Sequence, residues 1–112
     1  MNPNDVRHLR NMLTIIDKVT IHMEGCSCEA FLANDLLADA CAMNIIALAE
    51  QAYRLTDECR EQNPQIEWHA VYGMRNRFAH DYFAINRKIL WDILTEDIFL
   101  LRQRIADLIG EA

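Results

Sequence analysis

The chain has 112 residues, 52% of them hydrophobic, a size and composition that predict one domain spanning residues 1–112 around a single core. No apolar run approaches the roughly eighteen residues of a membrane span, and the start, Met1-Asn2-Pro3-Asn4-Asp5, lacks the basic and apolar segments of a signal peptide, so a cytoplasmic location is expected. The formal net charge of −6 argues against general electrostatic affinity for nucleic acid.

Only three glycines and two prolines punctuate the chain, and no segment alternates like a strand, so the fold class is all-α. A first helix from about Asn4 to Met23 carries the stripe Val6, Leu9, Leu13, Ile16, Thr20 and Met23, in steps of three and four. Gly25 ends it, Cys26-Ser27-Cys28 makes a tight loop, and Phe31-Leu32 starts a short extra turn. Asn34 or Asp35 then caps a second helix, which runs through Leu37, Cys41, Ile45, Leu48, Ala52 and Leu55 and stops before Asn63-Pro64. Its middle, Ala38 to Ala52, is rich in small residues and lets a neighbour approach closely, which predicts a central position. Glu50 lies just past that run, where an inward-facing carboxylate and a solvated one both fit the periodicity.

The third helix opens after Pro64 with the stripe Trp68, Val71, Tyr72, Arg75, Phe78, Ala79 and Tyr82. Arg75 is the charged member of this apolar and aromatic stripe, so it needs a partner, a cleft or an interface. Gly73, inside the helix, costs about 1 kcal/mol against alanine, and close packing against another backbone is the expected reason for it. The fourth helix, capped by Asn86, carries Leu90, Leu94, Ile98, Leu101, Ile105 and Leu108 and closes a four-helix bundle before Gly110. Arg87 and Lys88 fall in its first turn, where positive charge opposes the helix dipole unless that surface meets an anion. The four cysteines, Cys26, Cys28, Cys41 and Cys59, lack metal or redox spacing and read as small apolar thiols. His8, His22 and His69 also lack metal-ligand spacing, and no metal site is expected.

The segment Arg75-Asn76-Arg77-Phe78-Ala79-His80-Asp81-Tyr82 concentrates reactive chemistry as Arg-x4-His-x-Tyr. From Arg75 to Lys88 the chain has Arg75, Arg77, Arg87 and Lys88 against Asp81 alone, a local +3 that leaves −9 on the remainder. That contrast suits local capture of an anion, with Arg77, Arg87 and Lys88 as phosphate-binding candidates; ordinary surface charge is the alternative. Phosphodiester cleavage in RNA has a built-in nucleophile, the 2′-hydroxyl. It therefore needs a proton carrier, His80, and a charge clamp, Arg75, with Asn76 as a supporting hydrogen-bonding group, and it needs no metal or cofactor. Five residues separate Arg75 from His80, about 140° around an ideal helix. They converge only if the helix ends near Ala79 or if a second copy of the chain completes the site.

Over nearly its whole length the sequence resembles the HEPN family, specifically the HepT-like toxins paired with a minimal nucleotidyltransferase antitoxin. The resemblance lies in Phe31-Leu32, Leu48-Ala49-Glu50-Gln51-Ala52, Pro64-x3-Trp68, Ile89-Leu90-Trp91, and above all Gly73-Met74-Arg75-Asn76-Arg77-Phe78-Ala79-His80-Asp81-Tyr82-Phe83. It implies an up-and-down helical bundle, a homodimer, and a metal-independent endoribonuclease that cuts tRNA or mRNA as the toxin of a type VII-like toxin–antitoxin pair. Arg75 and His80 match the catalytic pair and Asn76 the polar residue after the arginine. Glu50 matches the second-helix carboxylate, able to pair with Arg75. Tyr82 matches the tyrosine that the partner nucleotidyltransferase adenylylates to silence the toxin. Ala49 departs from the glycine frequent in the family before that glutamate. The rival reading is a non-catalytic helical module that binds a nucleotide or docks onto a nucleotidyltransferase.

Overall fold

Pro3 at the first position and Asn2 as cap, its side chain accepting from Asn4 N at 2.7 Å, start the first helix of the computed structural model, which describes residues 1–110. This helix, α1 (Pro3–Met23), is followed by Gly25 at φ +71°, a backbone conformation that a side chain would strain. Ser27 caps the short α2 (Cys28–Leu32), the extra turn anticipated around Phe31. Asn34 caps α3 (Asp35–Tyr53) by accepting from Leu37 N at 3.0 Å.

The second predicted helix is in fact two. α3 stops at Tyr53, and Thr56 caps a separate α4 (Asp57–Gln62) by accepting from Cys59 N. The break is held from α1. Asp5, only 2% exposed, accepts from Thr56 N at 2.9 Å and from Thr56 Oγ1 at 2.7 Å. Periodicity could not show this, because Asp5 and Thr56 are 51 residues apart. Asp5→Ala removes two hydrogen bonds to a buried carboxylate, so urea denaturation should show a loss of about 1.5–3 kcal/mol. A loss below about 0.5 kcal/mol, the range of an ordinary surface substitution, would mean that the contact contributes little.

α5 (Trp68–Phe78) buries Trp68, Val71, Met74 and Phe78, and the Trp68 indole N–H donates to the Asn63 carbonyl at 3.1 Å. After a 3₁₀ turn (Tyr82–Ala84), Asn86 caps the last helix, as predicted, by accepting from Ile89 N at 3.0 Å. That helix begins as α6 (Arg87–Asp92), passes through a π turn (Ile93–Asp97) and continues as α7 (Ile98–Ile109), with Gly110 at φ +75° ending it. In the π turn Ile98 N donates to Ile93 O, five residues back. The wider turn absorbs the two consecutive steps of four, Leu90 to Leu94 to Ile98, and keeps all three buried.

Among the described residues there are thus six helices rather than four, counting α6, the π turn and α7 as one, and there is no β-strand. α1 packs on α3 and α7, α3 on α1 and α5, and α5 on α6. As predicted, α3 is central, and its buried face is Ala38, Cys41, Ala42, Ile45, Leu48 and Ala52. Cys41 and Cys59 are buried free thiols, and burial pushes the Cys41 thiol up to about 11. Among the described residues no helix is long and apolar enough to cross a membrane.

Candidate functional site

Arg75, Asn76 and Arg77 occupy the last turn of α5, and the helix ends at Phe78 rather than continuing to Tyr82. Ala79 is extended (φ −149°, ψ 131°), and an isolated bridge pairs it with Ile85. Asn86 N donates to Phe78 O at 2.5 Å, so loop 79–86 is tied at its base. Inside the loop the Asp81 carboxylate accepts from Phe83 N at 2.8 Å and Ala84 N at 3.1 Å, fixing the 3₁₀ turn that presents Tyr82 and Phe83. The local reason is the polar side chains. Asp81 and Asn86 each offer backbone amides an alternative to continuing the helix.

Ending the helix at Phe78 does not bring Arg75 and His80 into one concavity. Arg75 lines a hollow between α3, the end of α5 and the loop, together with Asp39, Met43, Ile46, Asp81 and Tyr82. His80 lines a second one with Asn76, Arg77, Ala84, Asn86 and Ile89. Phe78 and Ala79 wall both. The helix does end before His80, as one of the two routes to convergence requires, while the two side chains line adjoining hollows.

The charges sort themselves sharply. Arg77 pairs with Asp97 in the π turn, Lys88 Nζ with Asp92 Oδ1 at 2.7 Å, and Arg87 with Asp35 while also donating to the Leu32 carbonyl at 2.9 Å. The three phosphate-binding candidates thus each face a carboxylate of this chain, and the local +3 is largely neutralised at contact range. For Arg87 the anion expected at the start of the fourth helix is Asp35, in the first turn of α3, where a carboxylate is itself favoured. Arg75 is different. It is exposed, and among the described residues its guanidinium has neither an ion pair nor a hydrogen bond.

Glu50 does not pair with Arg75. It is solvated and bonds Arg54 Nη2 at 2.5 Å, one turn further along α3. The pairing was not required, because Arg75 lies outside the buried face of α5. The core positions are Trp68, Val71, Met74 and Phe78, and Arg75 sits one residue, about 100°, beyond Met74. The expected reason for Gly73 also fails within the chain, since a Cβ there meets nothing within 4 Å. Gly73→Ala should therefore raise the urea-unfolding free energy by about 1 kcal/mol. A loss of stability instead would reveal a packing partner at this position, such as a second copy of the chain.

Tyr82 is 63% exposed, and its phenol donates to Asp39 Oδ2 at 2.9 Å. That hydrogen bond and the charge of Asp39 push the phenol above its ordinary value, so Tyr82 stays protonated at neutral pH. Asp39 is the residue of this site that sequence reasoning missed. Its signal was present, because residues 36, 39, 43, 46 and 50 recur at helical spacing on the outer side of α3, but nothing in the sequence paired that face with loop 79–86. Phe83, 94% exposed, lies edge-on to Tyr82 with ring centroids 5.2 Å apart. Among the described residues no three His, Cys, Asp or Glu side chains group as metal ligands.

The sequence profile of the family described as Ribonuclease HepT-like matches residues 12–108. Among curated proteins, a candidate RNase of Caldanaerobacter subterraneus subsp. tengcongensis is 24% identical over 102 residues, covering 91% of this chain and 91% of its own. A candidate RNase of Methanocaldococcus jannaschii is 28% identical over 107 residues, covering 92% of this chain and 85% of its own. A candidate ribonuclease HepT of Thermococcus cleftensis is 26% identical over 70 residues, covering 62% of this chain and 64% of its own. No solved structure matches the chain at a significant level.

Proposed function

The chain belongs to the Ribonuclease HepT-like family, and from that premise we propose that it is a metal-independent endoribonuclease cutting tRNA or mRNA at a site shared by two copies of the chain. The observation that carries this reading is the exposed Arg75 guanidinium, without a partner among the described residues, in a segment whose other cations are matched by carboxylates. A guanidinium held open in this way is available for bidentate contact with a phosphate.

In this reading Arg75 binds the scissile phosphate and stabilises the charge that grows on its non-bridging oxygens. One His80 removes the 2′-hydroxyl proton as the 2′ oxygen bonds to phosphorus. The bond to the 5′ oxygen breaks, and the leaving oxygen takes a proton from the partner subunit's His80. The products are a 2′,3′-cyclic phosphate and a 5′-hydroxyl. Asn76, which shares the His80 hollow, supports the imidazole or the phosphate by hydrogen bonding. The 2′-hydroxyl supplies the nucleophile, so no metal or cofactor enters the reaction.

The protein acts as the toxin of a type VII-like toxin–antitoxin pair, and a minimal nucleotidyltransferase silences it by adenylylating Tyr82. The exposed phenol supports that role, and its place on the wall of the Arg75 hollow supplies the reason for silencing. An AMP group there adds bulk and negative charge where RNA phosphate must bind. The test is incubation of the purified protein with total tRNA and mRNA in EDTA. The expected result is fragments ending in cyclic phosphate, and their loss after treatment with the partner enzyme and ATP that adds AMP at Tyr82. Intact RNA across both pools counts against cleavage. Cleavage that persists after Tyr82 is modified counts against silencing by that route.

A further inference from the structure

The hollow beside Arg75 has features that phosphate binding leaves unused. Its volume is about 260 Å³, and its apolar walls come from Ala42, Met43, Ile46, Phe78 and Ile85. Asp39 lines it too, yet makes no ion pair with Arg75. Asp39 Oδ2 accepts from Tyr82, whereas among the described residues Oδ1 has no hydrogen-bond partner. An unmatched cation, an acceptor with spare capacity and apolar walls within one hollow complement a nucleotide. Its phosphate suits the guanidinium, its base edge offers N–H donors, and its ring faces need apolar contact.

We propose that this hollow is a base pocket that selects guanine beside the scissile phosphate of single-stranded RNA, with Asp39 as the specificity-determining residue. The inference rests on the ribonuclease reading only for the role of Arg75. A carboxylate presents two acceptor oxygens side by side. Guanine presents two adjacent donors, N1–H and the 2-amino group, on its Watson–Crick edge. Adenine and cytosine offer one amino donor beside a ring-nitrogen acceptor that repels the carboxylate. Uracil offers a single N–H between two carbonyls. Without such selection, a carboxylate in an RNA site would be a disadvantage, because its charge opposes the backbone. As a filter it works by penalising bases that leave it unpaired.

The test uses uncleavable 2′-O-methyl hexanucleotides of uridine with one central position carrying G, A, C or U, bound to the full-length protein at fixed salt and read by fluorescence anisotropy. The G form should bind about tenfold or more tightly than the other three, the range of one bidentate base contact. Asp39→Asn keeps the size of the side chain and an acceptor for Tyr82, and should abolish that advantage. Arg75→Ala should weaken all four forms alike, with an unchanged circular dichroism spectrum for both variants. Equal or undetectable binding of the four by the parent protein overturns the proposal, as does a guanine advantage that survives Asp39→Asn. These oligonucleotides cannot be cut, so base selection and the ribonuclease reading stand or fall separately.

Discussion

His80→Ala is expected to lower RNA cleavage by about 10²–10⁴-fold, the usual contribution of a positioned acid–base group. The fold should be almost unaffected. His80 is exposed, lies outside the hydrophobic core, and follows a helix end fixed by backbone bonds from Asn86 and Ala79. Surface substitutions of this kind stay within about 0.5 kcal/mol. The measurement pairs cleavage of total tRNA in EDTA with urea unfolding of the same preparation. Cleavage retained by a folded His80→Ala protein would remove His80 from the mechanism. A parent protein that binds RNA without cutting it would favour the binding-module reading, with His80 and Tyr82 as recognition groups. His80→Gln, which keeps hydrogen bonding but cannot carry a proton near neutral pH, separates those roles.

The second large effect comes from mixing the parent with His80→Ala. If one cleavage needs the His80 of both protomers, a mixed dimer lacks either the base or the acid and is inactive. Random re-pairing of equal amounts leaves a quarter of the dimers with both imidazoles, so activity should fall to about a quarter of that of the same total amount of parent. If each His80 works by itself, activity should fall only to about half. The separate roles of base and acid assigned to the two imidazoles motivate the first outcome. The assay needs a folded, re-paired mixture, which light scattering and circular dichroism can check before RNA is added. Light scattering of the parent protein also tests the homodimer directly.

Much of the architecture was legible because it depends on short-range rules. Apolar spacing placed α1, α3 and the last helix. Gly25 and Gly110 marked two ends, and Asn34 and Asn86 marked two starts, since a cap needs only a side chain within three residues of the amide it serves. The reactive segment was visible for the same reason: Arg75, Asn76, His80 and Tyr82 lie within eight consecutive positions.

Contacts across the bundle decided the rest. The break between α3 and α4 depends on Asp5, and the fate of the basic segment depends on Asp97, Asp35 and Asp92. Counting charge along the chain gave +3, but pairing it in space leaves Arg75 as the arginine of the segment without an ion pair among the described residues. Coulomb energy follows distance in the folded chain rather than separation in sequence, and it falls off with screening within about 10 Å. The sequence by itself therefore determined the main helical stripes and the inventory of reactive groups. Only the tertiary structure decided which groups have partners and that Asp39 meets Tyr82. It also decided that Arg75 and His80 face different hollows, because each of these is a distance between residues that local rules never compare.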